Sequence, residues 1–173
     1  MALVAFLRGV NVGGHRTFRP SVLAQELAAY GVVNIGAAGT FVARAPGSAE
    51  RFRAALAARL PFAADVALCE GREILRLVAA DPFRGIAASR DVVPFVSVRV
   101  NRGRILPSVP IRLPAEGEWL LQVTGCTGRF AFGLYRRQMK AIGLLGQLDR
   151  ILGSPVTTRN WRTVIAVART LER

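Results

Sequence analysis

The chain is 173 residues long, room for one domain or two small ones sharing a core, and its 51% hydrophobic and 20% charged residues exclude intrinsic disorder. A formal net charge of +13 points to an anionic partner, either nucleic acid (RNA or DNA) or a phosphorylated small molecule. No apolar run reaches the roughly 18 residues needed to cross a bilayer, so no membrane partner is expected.

Lys140 is the one lysine. Arginine adds bidentate recognition of phosphate and carboxylate, but a GC-rich coding sequence produces the same excess, so the charge itself carries the inference. The opening MALVAFLRGV has no basic start and breaks at Arg8. Neither a signal peptide nor an anchor is therefore expected, and a cytoplasmic address follows. Cys69 and Cys126 fall in separate predicted strands without a CxxC, and His15 is the single histidine, so no metal site, disulfide framework or cofactor is expected.

Residues 2–8, ALVAFLR, are a short apolar run ended by a glycine-rich loop and read as a buried strand. In RPSVLAQELAAYG, Val22, Leu23, Leu27 and Ala28 recur at helical spacing, with Pro20 in the first turn and Gly31 as the stop. VVNIGAAGTFVARA reads as two short strands around an Ala-Ala-Gly turn. SAERFRAALAARL is a helix with Ser48 as N-cap and Pro61 as its end. ADVALC makes a fourth strand, and GREILRLVAAD a helix closed by Pro82.

The β-branched VVPFVSVRV opens a second half. NRGRILPSVPIRLPAEGE, with its three prolines, predicts extended loop where the first half has a helix. EWLLQVTGC and RFAFGLYRR form a hairpin about Thr127-Gly128, QMKAIGLLGQLDRILG one helix ending at Gly153, PVTTR a strand, and NWRTVIAVARTLE the last helix. The expected fold is α+β: two ferredoxin-like halves (βαββαβ type) at residues 1–82 and 91–173, joined by a connecting segment at 83–90. Each half carries an added helix, and the second lacks a regular first helix.

Two stretches, FLRGVNVGG at the first strand and VTTRNWRTV near the end, resemble the paired signature blocks of the domain of unknown function 1697 family. The resemblance implies an α+β fold of two ferredoxin-like halves and no established activity. This chain departs from the family pattern at His15, where relatives often carry lysine. It departs again at Ala38-Gly39-Thr40, where many have a Ser-Gly-Asn turn.

Both blocks are candidate ligand sites. After the first strand, Arg8, Asn11, Gly13, Gly14 and His15 occupy a loop whose glycines permit positive φ and close backbone approach, as in a phosphate nest. The spacing fits neither GxGxxG nor GxxxxGK[ST], and a tight strand-to-helix connection would need the same glycines. Near the end, Thr157, Thr158, Arg159 and Asn160 place two hydroxyls and an arginine at the start of a helix, a combination suited to an anion. The bland alternative is that Asn160 caps the helix and Trp161 packs in the core, with Arg159 mildly repelled by the helix dipole.

GRFAFGLYRR, residues 128–137, partly echoes an RNA-recognition RNP1 box, although Phe130 and Phe132 fit a core strand better. The leading expectation is a binder of a phosphate-bearing ligand, nucleic acid first. An enzyme acting on a small anionic substrate through Arg8, Arg159 and His15 or a threonine, or a protein-interaction module, are the alternatives; whether there is catalysis stays open.

Overall fold

The computed structural model describes residues 1–87, 89–101 and 107–173. In chain order the first elements are β1 (Leu3–Leu7), α1 (Pro20–Glu26), β2 (Val32–Asn34), β3 (Thr40–Ala43), α2 (Ala49–Arg59), β4 (Val66–Glu70) and α3 (Gly71–Ala80). The rest are β5 (Val92–Arg99), β6 (Ile111–Leu113), β7 (Leu121–Thr127), β8 (Phe130–Arg136), α4 (Met139–Leu145), α5 (Leu148–Leu152), β9 (Val156–Asn160) and α6 (Trp161–Leu171). This is an α+β fold with two sheet-and-helix regions that resemble a duplicated ferredoxin-like arrangement. Compactness divides the chain into two units. One unit is Met1–Ala80 with Arg162–Arg173, and the other is Asp81–Trp161.

In the first unit the sheet order is β2-β3-β1-β4, with all three pairings antiparallel. β1 lies inside that sheet, and all five of its residues are buried, which is why it reads as a continuous apolar run instead of alternating. Leu3, Ala5 and Leu7 pack on one face with Phe41, Leu23, Phe52 and Leu56. Complete burial of one such side chain contributes about 1.5–3 kcal/mol.

Local signals set the helix ends. Ser48 Oγ accepts from Arg51 N at 3.1 Å and caps α2, Pro20 begins α1, and Gly31 at φ +61° ends the 3-10 turn that follows α1. Val22, expected on the apolar face of α1, is 41% exposed, while Leu23 and Leu27 are buried. The carboxyl end of α6 belongs to this unit: Arg44 Nη2 donates to Thr170 O, and a Cβ on Gly71 would meet Leu171 Cδ2 at 2.8 Å.

In the second unit the order is β6-β7-β8-β5-β9. Three expectations change here. The proline-rich connection is not all loop, because Ile111–Leu113 pairs antiparallel with β7 and adds an edge strand; residues 102–106 of that stretch lie outside the described residues. The single helix expected over 138–153 is two helices, α4 and α5, with the break at Gly146-Gln147, where glycine's poor helix propensity tells. The hairpin turn is Gly128-Arg129, since Thr127 pairs with Phe130. Phe95, Leu121, Val123, Ala131, Leu148, Leu152 and Val156 form this unit's core. Among the described residues, no helix is long and apolar enough to cross a membrane.

Candidate functional site

The loop after β1 carries positive φ at Gly9 (+64°), Asn11 (+53°), Gly13 (+58°), Gly14 (+76°) and Arg16 (+47°). Asn11 and Arg16 are L residues held in a region that costs about 1–2 kcal/mol each. Asn11 holds this shape from both ends of its amide. Its Nδ2 donates to Ala37 O at 2.8 Å in the β2–β3 turn, and its Oδ1 accepts from Phe18 N at 3.0 Å. Asn11 N donates to Arg16 O and His15 N to Val12 O, closing a tight turn at Gly13-Gly14.

Gly13, Gly14, His15 and Arg16 are exposed. Among the described residues, the amides of Gly13 and Gly14 donate to no acceptor. The Arg8 guanidinium pairs with Asp65 at 3.6 Å across an exposed gap, where such a pair is worth little.

The second block lies in β9 and presents itself differently from the expected cradle. Strand alternation separates its hydroxyls. Thr157 and Arg159 oppose Val98 and Val96, whereas Thr158 and Asn160 oppose Ser97 and Phe95 on the other face. The Thr158 hydroxyl lies 2.6 Å from that of Ser97. Arg159 is only 8% exposed; its Nη1 donates to Thr157 Oγ1 at 2.7 Å and Thr158 O at 2.9 Å, turned back along its own strand. Burial lowers its pKa to about 10. The idea of a cation repelled at the helix start is therefore replaced by a guanidinium held within the sheet. Asn160 is exposed and immediately precedes α6. The glycine loop belongs to the first compact unit and β9 to the second.

The RNP1-like strand is a core strand. Phe130 and Leu134 are buried, and Phe132 lies over Gly125, where a Cβ would clash with its ring, with the Phe83 ring centre 6.2 Å away. Arg129, in the hairpin turn, is also buried: its Nη2 donates to Arg99 O at 2.9 Å and Val100 O at 3.0 Å. Arg136 donates to Trp119 O, pairs with Glu118 at 2.9 Å and lies 4.6 Å from the Trp119 ring centre. These arginines fasten the hairpin.

The sequence reading missed a cavity of about 330 Å³ in the second unit, lined by Asp81, Phe83, Ser89, Val92, Pro94 and Trp161 among others. Its residues come from the segment before β5, from β5 itself and from the start of α6. No local spacing in the sequence signals it.

An α+β chain of duplicated sheet-and-helix design, with an exposed glycine loop after its first strand, is the class that these features define. The family described as Protein of unknown function (DUF1697) matches residues 1–109, and the chain belongs to it. The solved structure of conserved bacterial protein SP0830 from Streptococcus pneumoniae is similar over 98% of both chains, with a TM-score of 0.61 at 15% identity, a likeness of fold. Comparison with curated proteins gives no match.

Proposed function

We propose that the chain binds a phosphate-bearing ligand at the loop from Gly9 to Arg16, with nucleic acid the partner best suited to its net charge of +13. The observation behind this reading is the run of positive φ that leaves the Gly13 and Gly14 amides exposed, since neighbouring amides in such turns form anion nests. Asn11 shapes the loop, and Arg8, His15 and Arg16 add charge or donors around it. The reading includes Thr157, Thr158, Arg159 and Asn160 as a second anion-binding block, carried by β9. It places the protein in the cytoplasm, on a fold of two ferredoxin-like halves.

One observation favours the alternative of an enzyme acting on a small anionic substrate. A guanidinium as buried as Arg159 suits an anion small enough to be enclosed better than a polymer backbone, and there it would stabilise negative charge as it develops.

The test measures melting with about 10 mM phosphate or pyrophosphate and binding of a short RNA and DNA, in wild type and in Arg16→Ala. Phosphate should raise the melting temperature of wild type more than that of Arg16→Ala. Polymer binding should weaken about tenfold or more between about 50 and 200 mM salt. Absence of polymer binding at low salt, with a phosphate shift retained, selects the small-anion reading. Absence of both rejects the loop as an anion site.

A further inference from the structure

We propose that the cavity beside Trp161 is a nucleobase site that takes a purine presenting N–H donors to Asp81. About 330 Å³ is the small end of the roughly 300–1,000 Å³ range of ligand pockets, so it suits one ring system and not an extended cofactor. Its walls are flat and apolar. Phe83 and Trp161 meet edge to face at 5.1 Å, and Pro94 and Val92 face them from β5.

Two polar residues stand in this lining, Asp81 and Ser89; the Ser89 hydroxyl already accepts from Asp91 N at 3.1 Å, which leaves Asp81 as the acceptor for a ligand. Apolar faces with a carboxylate at one edge fit a planar nitrogen heterocycle whose own edge carries donors. Guanine presents two such donors side by side, its ring N1–H and its exocyclic amino group. The Asp81 side chain is 42% exposed, with one oxygen 3.7 Å from Arg84 Nε, a loose pair that leaves the carboxylate able to accept.

The cavity also continues the sheet face that holds Arg159. That face runs from the Val96–Arg159 pair past Phe95–Asn160 to the positions of Pro94 and Trp161. A base seated against Trp161 would thus lie next to the block proposed above to meet the ligand's phosphate. For that other end of the ligand the inference rests on the phosphate reading; for the base it does not.

The experiment therefore uses nucleosides, which carry no phosphate. In Trp119→Phe, fluorescence reports on Trp161 alone, and calorimetry on wild type repeats each titration without the substitution. Guanosine should quench Trp161 saturably, and inosine, which lacks the exocyclic amino group, should bind about tenfold more weakly. Asp81→Asn should bring guanosine down to the inosine level. Asp81 lies at φ +44°, a conformation that asparagine adopts readily, so this variant adds no strain. Ala87→Phe, which fills the cavity from its exposed rim, should abolish the signal.

No saturable guanosine binding by either method, equal affinity for the two nucleosides, or a signal unchanged in Ala87→Phe overturns the proposal. Phosphate titrated alone reports on the phosphate reading, and Arg16→Ala assigns it to the glycine loop. A phosphate response without a guanosine response therefore removes the base site and leaves the phosphate reading standing.

Discussion

Gly39→Ala probes how the glycine loop is rooted. Gly39 lies at φ +69°, and a Cβ there would stand 2.7 Å from Val10 Cγ2 and 2.9 Å from Leu7 Cβ, both fully or nearly fully buried. Its carbonyl also accepts from Leu7 N at 2.8 Å, at the point where β1 gives way to the loop. Gly36, in the same β2–β3 turn, has φ +72° but nothing within 4 Å of its Cβ position.

Alanine in the left-handed region costs about 1–2 kcal/mol at either position. Crowding against packed side chains adds about 1–3 kcal/mol, and only at position 39. The expected losses are about 1–2 kcal/mol for Gly36→Ala and about 2–5 kcal/mol for Gly39→Ala. Urea unfolding with a common m value measures both. Equal losses in the two variants would refute the argument that close packing at Leu7 and Val10 fixes the root of the loop.

Ser48→Ala should cost about 1 kcal/mol through loss of the α2 cap, read as a drop in melting temperature; an unchanged value would show that Arg51 N finds another acceptor. Phe132→Ala should lose about 2–4 kcal/mol while leaving any affinity for single-stranded RNA unchanged, because its ring packs on Gly125 and Phe83. The reverse pattern, weaker RNA binding at full stability, would restore the stacking platform.

The first four strands and three helices were legible because their signals are local. Pro20, Gly31 and Ser48 each act within one turn, and β1 is apolar without interruption because the sheet encloses it. β6 was not legible. Ile111–Leu113 sits between Pro110 and Pro114 and becomes a strand only because β7 offers a distant partner. The break between α4 and α5 was hidden by an apolar period that continues through Gly146.

The candidate site divides in the same way. Glycines after a strand announce a loop of positive φ, and five such residues occur there. In TTRN the residue types are visible, but which face each side chain takes follows from the pairing with β5. The cavity at Trp161 gathers Asp81, Phe83, Ser89 and Pro94 from a separate stretch of chain, so nothing near Trp161 in the sequence points to it.

Arg159 offers a pH test that separates burial from ligand binding. Burial lowers its pKa from the ordinary arginine value to about 10, so the folded state disfavours the charged form. Below pH 10 the guanidinium is charged in both states, and the cost of burying it is constant. From about pH 10 up to the ordinary arginine value the unfolded chain keeps the proton that the folded chain releases, so stability contributed by this group rises with pH. Wild type should therefore gain on Arg159→Gln as pH goes from 9 to about 11, because the other titrating groups are common to both proteins and cancel in the difference. Urea unfolding at each pH measures that difference, and a flat profile would show that the guanidinium is better solvated than its 8% exposure implies. An anion bound at Arg159 would favour the charged form and raise its pKa again. With phosphate present, the rise should then shift to higher pH or vanish, and phosphate should stabilise wild type more than Arg159→Gln at pH 8. An unchanged profile with phosphate would leave Arg159 a structural member of β9, its guanidinium spent on Thr157 and Thr158 and no part of the anion site.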